Sequence, residues 1–117
     1  MSGQNLKDAE VILRHLRAKK TGLYAHAFYP EQKWRFPIDY HWAKGNLRVA
    51  LFLVEASAIE KEFLPYLKEE ISALKKYYVR GKGLRTLIDD PSSPFESSAT
   101  ALFGYVLLRA KDLELGE

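Results

Sequence analysis

The chain has 117 residues, 47% hydrophobic and 28% charged, the length and balance of one packed domain spanning 1–117 and too little for two cores. It contains no cysteine, which excludes disulfides, thiolate nucleophiles, iron–sulfur clusters and cysteine-rich zinc sites. Eighteen Lys and Arg against 15 Asp and Glu leave +3, which permits an acidic ligand and is weak for nucleic acid.

The opening Met1-Ser2-Gly3-Gln4-Asn5 is polar. No apolar run approaches the ~20 residues of a membrane span, so a cytoplasmic chain with no membrane partner is expected. Leu6, Ala9, Leu13 and Leu16 recur at helical spacing, with Asn5 and Asp8 placed as a capping pair, predicting a first helix over 6–19 that stops at Thr21-Gly22. From Asn46 to Ala58 nine of thirteen residues are apolar, predicting a second helix buried nearly all round. Pro65 opens a third helix with the stripe Leu67, Ile71, Leu74 and Tyr78 and a charged outer side. Short connections make the second and third helices an antiparallel pair. Ser93-Pro94-Phe95-Glu96 reads as the capped start of a fourth helix running to Leu113. No strand pattern stands out; Leu84 to Ile88 is at most one extended segment. The fold class is all-α.

Residues 23–44 lack periodicity but hold seven of the fifteen aromatics, among them Tyr24, Trp34 and Trp42, together with His26, Asp39, His41 and Lys44. Disordered segments are poor in such rings. Aromatic faces beside cations suit a flat, negatively charged ring ligand, although each ring taken singly is more simply explained as the loop's own core. Two histidines without a carboxylate or cysteine partner make no metal motif, and no cofactor is expected. Asp89-Asp90-Pro91 reads as turn chemistry rather than an acid–base pair. Lys75, Lys76, Arg80, Lys82 and Arg85 suit the end of a helix and need no ligand.

Three segments in order, Gly22-Leu23-Tyr24-Ala25-His26-Ala27-Phe28, Trp42-Ala43-Lys44-Gly45-Asn46 and Asp89-Asp90-Pro91-Ser92-Ser93-Pro94-Phe95-Glu96-Ser97-Ser98-Ala99-Thr100, resemble the unsaturated rhamnogalacturonyl and glucuronyl hydrolases, glycoside hydrolase families 105 and 88. The resemblance covers nearly the whole chain. It implies part of an (α/α)6 barrel of six helical hairpins, whose members hydrate the double bond of an unsaturated uronic acid. It places His26 near the catalytic water, and Trp42 and Lys44 in the substrate pocket, with Lys44 where the family has Arg. The family's catalytic aspartate has no counterpart here. The resemblance therefore implies a glycoside-hydrolase-like protein binding acidic or unsaturated sugars through His26, Trp42 and Lys44, and the aromatic composition of the loop adds Tyr24 and Trp34. The alternative is a catalytically inactive helical module for protein association. Any internal acid must be Asp39, Asp89, Asp90 or Glu96, with Asp39 the candidate because it shares the loop with two histidines. Four helices cannot close a barrel, so a homo-oligomer or a barrel-completing chain is the expected partner beside an acidic oligosaccharide.

Overall fold

The computed structural model describes residues 3–24, 27–29, 34–36 and 41–115. The elements run α1 (Gly3–Leu16), β1 (Ala27–Tyr29), β2 (Trp34–Phe36), α2 (Ala43–Ile59), a 3-10 turn (Lys61–Phe63), α3 (Leu64–Tyr77) and α4 (Ser97–Leu115). The architecture is all-α, and it fills a slab of 40 × 40 × 20 Å. One short hairpin departs from the expected absence of strands: β1 and β2 pair antiparallel, Ala27 opposite Phe36 and Tyr29 opposite Trp34. Three residues a side are too few for a period-2 pattern to be read from sequence.

α2 is the centre of the core, with α3 and α4 packed against it. Its apolar composition has a direct consequence: Leu47, Ala50, Leu53, Val54 and Ala56 are fully buried, and the exposed positions are Lys44, Arg48 and Glu55 with Ala58 and Ile59 at the C-terminal end. Burying each of these leucines contributes about 1.5–3 kcal/mol. α3 begins with Pro65 in its first turn, where a missing N–H costs nothing. Of the expected stripe it buries Leu67 and Leu74 and half-buries Ile71, while Tyr78 is exposed; Ala73 and Glu70 are buried beside them, and the charged-side reading omits Glu70. Tyr78 lies just past the helix and packs on Phe103, ring centres 6.1 Å apart.

Two ends differ from expectation. α1 starts at Gly3, so Asn5 is inside the helix and not its cap, and it ends at Leu16 rather than Lys19. Beyond Leu16 the chain reverses, with Ala18 N–H donating to the Leu23 carbonyl and Gly22 N–H to that of Ala18. Gly22 makes this possible at φ +79. Gly83 is a further position that needs glycine: it sits at φ +101, and an added Cβ would collide with Thr100 Oγ1. That hydroxyl is already engaged, accepting from Leu84 N–H and donating to the Glu96 carbonyl. Among the described residues no helix is long and apolar enough to cross a membrane.

Candidate functional site

Three distant backbone segments lie side by side. Ala43 N–H donates to the Thr86 carbonyl and Ile88 N–H to the His41 carbonyl, both at 2.8 Å. On the other edge, Thr86 N–H donates to the Pro94 carbonyl and Glu96 N–H to that of Leu84, again at 2.8 Å. Segment 84–88 is thus an extended centre joining the start of α2 to the start of α4. This explains why the Ser93-Pro94 signal does not begin the fourth helix. Ser93 Oγ accepts from Leu87 N–H, and its carbonyl accepts from Arg85, so residues 93–96 are held extended. Glu96 takes over as the cap, its carboxylate accepting from the N–H groups of Ser98 and Ala99.

Where the two helix starts meet, Trp42, Ala43, Lys44, Thr86 and Glu96 line a cavity of about 260 Å³. Trp42 is 41% exposed and presents part of its ring to this cavity. Among the described residues no side chain caps the N-terminus of α2; Ala43 N–H is taken by the Thr86 carbonyl, and the positive end of the helix dipole stands at this cavity beside Lys44. Glu96 is held below the ordinary carboxylate range chiefly by the Ser98 hydroxyl, against slight burial, then by the Ala99 and Ser98 N–H groups and the charge of Lys44. It is therefore an ionised wall residue.

Trp42 and Lys44 are brought to one cavity, whereas Tyr24 is not there. It is 3% exposed in the core, because Asn46 on α2 grips its backbone from both sides. Burial first, then the neighbouring Glu70 carboxylate, pushes the Tyr24 phenol well above its ordinary value. Trp34 belongs to β2. His26 and Asp39 lie outside the described residues. Thr86 and Glu96 are wall residues that sequence reasoning did not place there. Their only signals were a polar residue inside an apolar extended segment and a carboxylate at a helix start.

The second feature missed is a buried pair. His41 Nδ1 lies 2.8 Å from Asp89 Oδ2, while His41 N–H donates to Asp89 Oδ1 at 2.8 Å. Both side chains are less than a tenth exposed. Burial pushes the Asp89 carboxyl up, but the His41 ring and backbone hydrogen bonds outweigh it and leave the group below its ordinary 3.8. A depressed carboxyl stabilises the fold above the unfolded value, and that stabilisation is lost as pH falls through the folded one. Asp89→Asn is expected to cost about 2–3 kcal/mol at neutral pH. Its stability should also lack the part of the wild-type loss that sets in below pH 3.8. Urea unfolding from about pH 5 to about pH 2 checks this, and parallel curves for the two proteins would clear Asp89 of the effect. Asp90, next door, accepts from the Ser92 N–H and hydroxyl, as a turn residue does.

The family model for Glycosyl Hydrolase Family 88 matches residues 3–114. A family 105 glycoside hydrolase from C. acetobutylicum ATCC 824 superposes with a TM-score of 0.76 at 16% identity, over 98% of this chain and 37% of that one. A possible member of the GH105 family from Salmonella enterica subsp. enterica serovar Paratyphi A str. ATCC 9150 superposes at 0.69 with 28% identity, over 89% of this chain and 30% of that one. The fold is thus that of helical hairpins from an (α/α)6 toroid, and the chain spans about a third of the length of these solved relatives. No curated protein sequence matches it. With the family's pattern running from α1 to the end of α4, the chain belongs to Glycosyl Hydrolase Family 88.

Proposed function

We propose that the chain is a sugar-recognition portion of the hydrolase fold, binding one acidic or unsaturated uronic acid ring at the cavity between the starts of α2 and α4. The observation that carries this is the partly exposed Trp42 ring beside Lys44 at a helix N-terminus without a side-chain cap among the described residues. The indole face offers an apolar platform for a sugar ring, and Lys44 with the helix dipole favours its carboxylate against the opposing charge of the ionised Glu96 on the same wall. A volume of about 260 Å³ lies below the ~300 Å³ at which sites for drug-sized ligands begin, the scale of a single ring rather than a long oligosaccharide.

Binding, not turnover, is the function proposed for these residues. A general acid must carry a proton at working pH. Asp89 and Glu96 are both held ionised, and Asp90 is tied into its turn. Lysine at position 44 keeps the charge of the family's arginine but not its two-pronged grip, so the affinity expected is modest. Calorimetry with unsaturated galacturonyl and glucuronyl disaccharides should give saturable heat at millimolar ligand. Lys44→Ala, an exposed change that leaves the fold intact, should weaken binding about tenfold or more. A folded sample that gives no heat with either sugar refutes the reading.

A further inference from the structure

Two open grooves flank α3. One, of about 480 Å³, lies where the chain leaves α1 and is bordered by Arg17, Lys19, Lys20, Glu69 and Lys76. The other, of about 360 Å³, lies between α3 and α4 and is bordered by Lys68, Lys75, Lys111 and Glu114. Ser72 on α3 borders both, so the two make one continuous face. Seven basic side chains against two acidic ones leave +5 on this face, more than the +3 of the whole chain. The rest of the molecule is therefore net negative.

Both acids on the face are already engaged. Glu69 pairs with Arg17 at 3.0 Å and Glu114 with Lys68 at 3.6 Å. Glu10 on α1 is held by Tyr66 and Arg14, and Asp112 is exposed without bordering either groove. Among the described residues no carboxylate pairs with Lys19, Lys20, Lys75 or Lys111, and Lys76 has only the ring of its neighbour Tyr77, 5.5 Å away. A helix C-terminus accounts for Lys75 and Lys76, but not for lysines from three elements gathered with no acid left between them. Their mutual repulsion is relieved by a ligand of repeated negative charge. Among the described residues neither groove is lined by an aromatic ring on which bases could stack. Ile71, Leu107 and Ala110 are half-buried or buried and do not project as a bilayer anchor would. We propose that this face binds a linear acidic polysaccharide, its successive carboxylates held by the lysines on either side of α3. Choosing a saccharide among polyanions rests on the sugar reading above; the site itself does not, and none of its lysines lines the Trp42 cavity.

Calorimetry of the full chain against polygalacturonate tests it. The wild type should bind, with an affinity that falls steeply as salt rises, while a neutral galactan gives no heat. Lys20→Glu with Lys75→Glu changes one exposed lysine in each groove and should weaken binding about tenfold or more. Lys7→Glu with Arg48→Glu makes the same change in net charge at exposed positions off the face. At physiological salt, where charges beyond about 8 Å are screened, it should leave the affinity within about twofold. Heat with the unsaturated disaccharides reports the Trp42 cavity separately and should be unchanged in Lys20→Glu with Lys75→Glu. Polymer binding without any disaccharide heat would support this face while refuting the cavity. A wild type that does not bind the polymer, equal loss in the two double variants, or loss of the disaccharide heat along with polymer binding would each overturn the proposal. So would tighter binding to duplex DNA or to phosphatidylserine vesicles than to polygalacturonate.

Discussion

Asn46→Ala is expected to destabilise the chain by about 2–5 kcal/mol, because it strips hydrogen bonds from two buried backbone groups at once. Asn46 is fully buried in the first turns of α2. Its Oδ1 accepts from Tyr24 N–H at 2.8 Å, and its Nδ2 donates to the Tyr24 and Trp42 carbonyls at 3.0 Å each. Only this amide orientation serves one donor and two acceptors, so neither hydrogen-bonding end of the side chain is spare. Alanine leaves the N–H and carbonyl of Tyr24 without partners in the core. The Trp42 carbonyl keeps the Asn46 N–H at 3.1 Å. Urea or thermal unfolding should show a drop in Tm on the order of 10 °C. Asn46→Asp should also be costly, since it keeps the acceptor, loses both donors and buries a charge. A change within about 0.5 kcal/mol for alanine would mean that water replaces the amide at no cost.

The second large effect has the opposite sign. Glu70 on α3 is fully buried, and among the described residues neither carboxylate oxygen has a hydrogen-bond partner. Burial drives its carboxyl well above the ordinary 4.5, and the attraction of Arg17 offsets this only in part. A carboxyl raised in the folded state contributes fully below its unfolded value, and that contribution is lost as pH rises toward the folded one. Glu70→Gln, which cannot ionise, should therefore match wild type near pH 4.5 and gain on it as pH rises. At about pH 8 the gain should be on the order of 1–3 kcal/mol, with Glu70→Leu giving a similar result. Urea unfolding of the three proteins at the two pH values decides it. Destabilisation by Gln at high pH would mean that a donor engages the carboxylate after all.

Both cases show what sequence periodicity can carry. Position 70 is three residues from Leu67 and four from Leu74, so the spacing itself puts it on the buried stripe. A carboxylate is nonetheless read as solvent-facing, because burying one is costly. The second helix was legible because its apolar density leaves few ways to face water. The fourth helix start was misread because a Ser-Pro-x-Glu signal is local, while the pairing of residues 93–96 with 84–87 is not. The cavity was half legible. Trp42 and Lys44 share one helical start, but Thr86 and Glu96 reach them only through a backbone ladder. Tyr24 looked like a ligand platform by composition, and the amide that draws it inward sits 22 positions later in the chain.

The ladder that joins the two helix starts also bears on how the chain is expected to assemble. α2 and α3 adjoin in sequence through Lys61–Phe63, so their pairing closes only a short loop. The His41–Asp89 link spans 48 positions, and its chain entropy is lost before any contact at the cavity is gained. Long-range closures of this kind slow the search for the native state. The α2–α3 hairpin can therefore form as a nucleus, with the cavity completed only when segment 84–88 docks onto it. In the reverse direction, undocking that one segment would open the cavity only by exposing Leu84 and Ile88, both buried in the core, so the shape of the cavity is tied to the stability of the core itself.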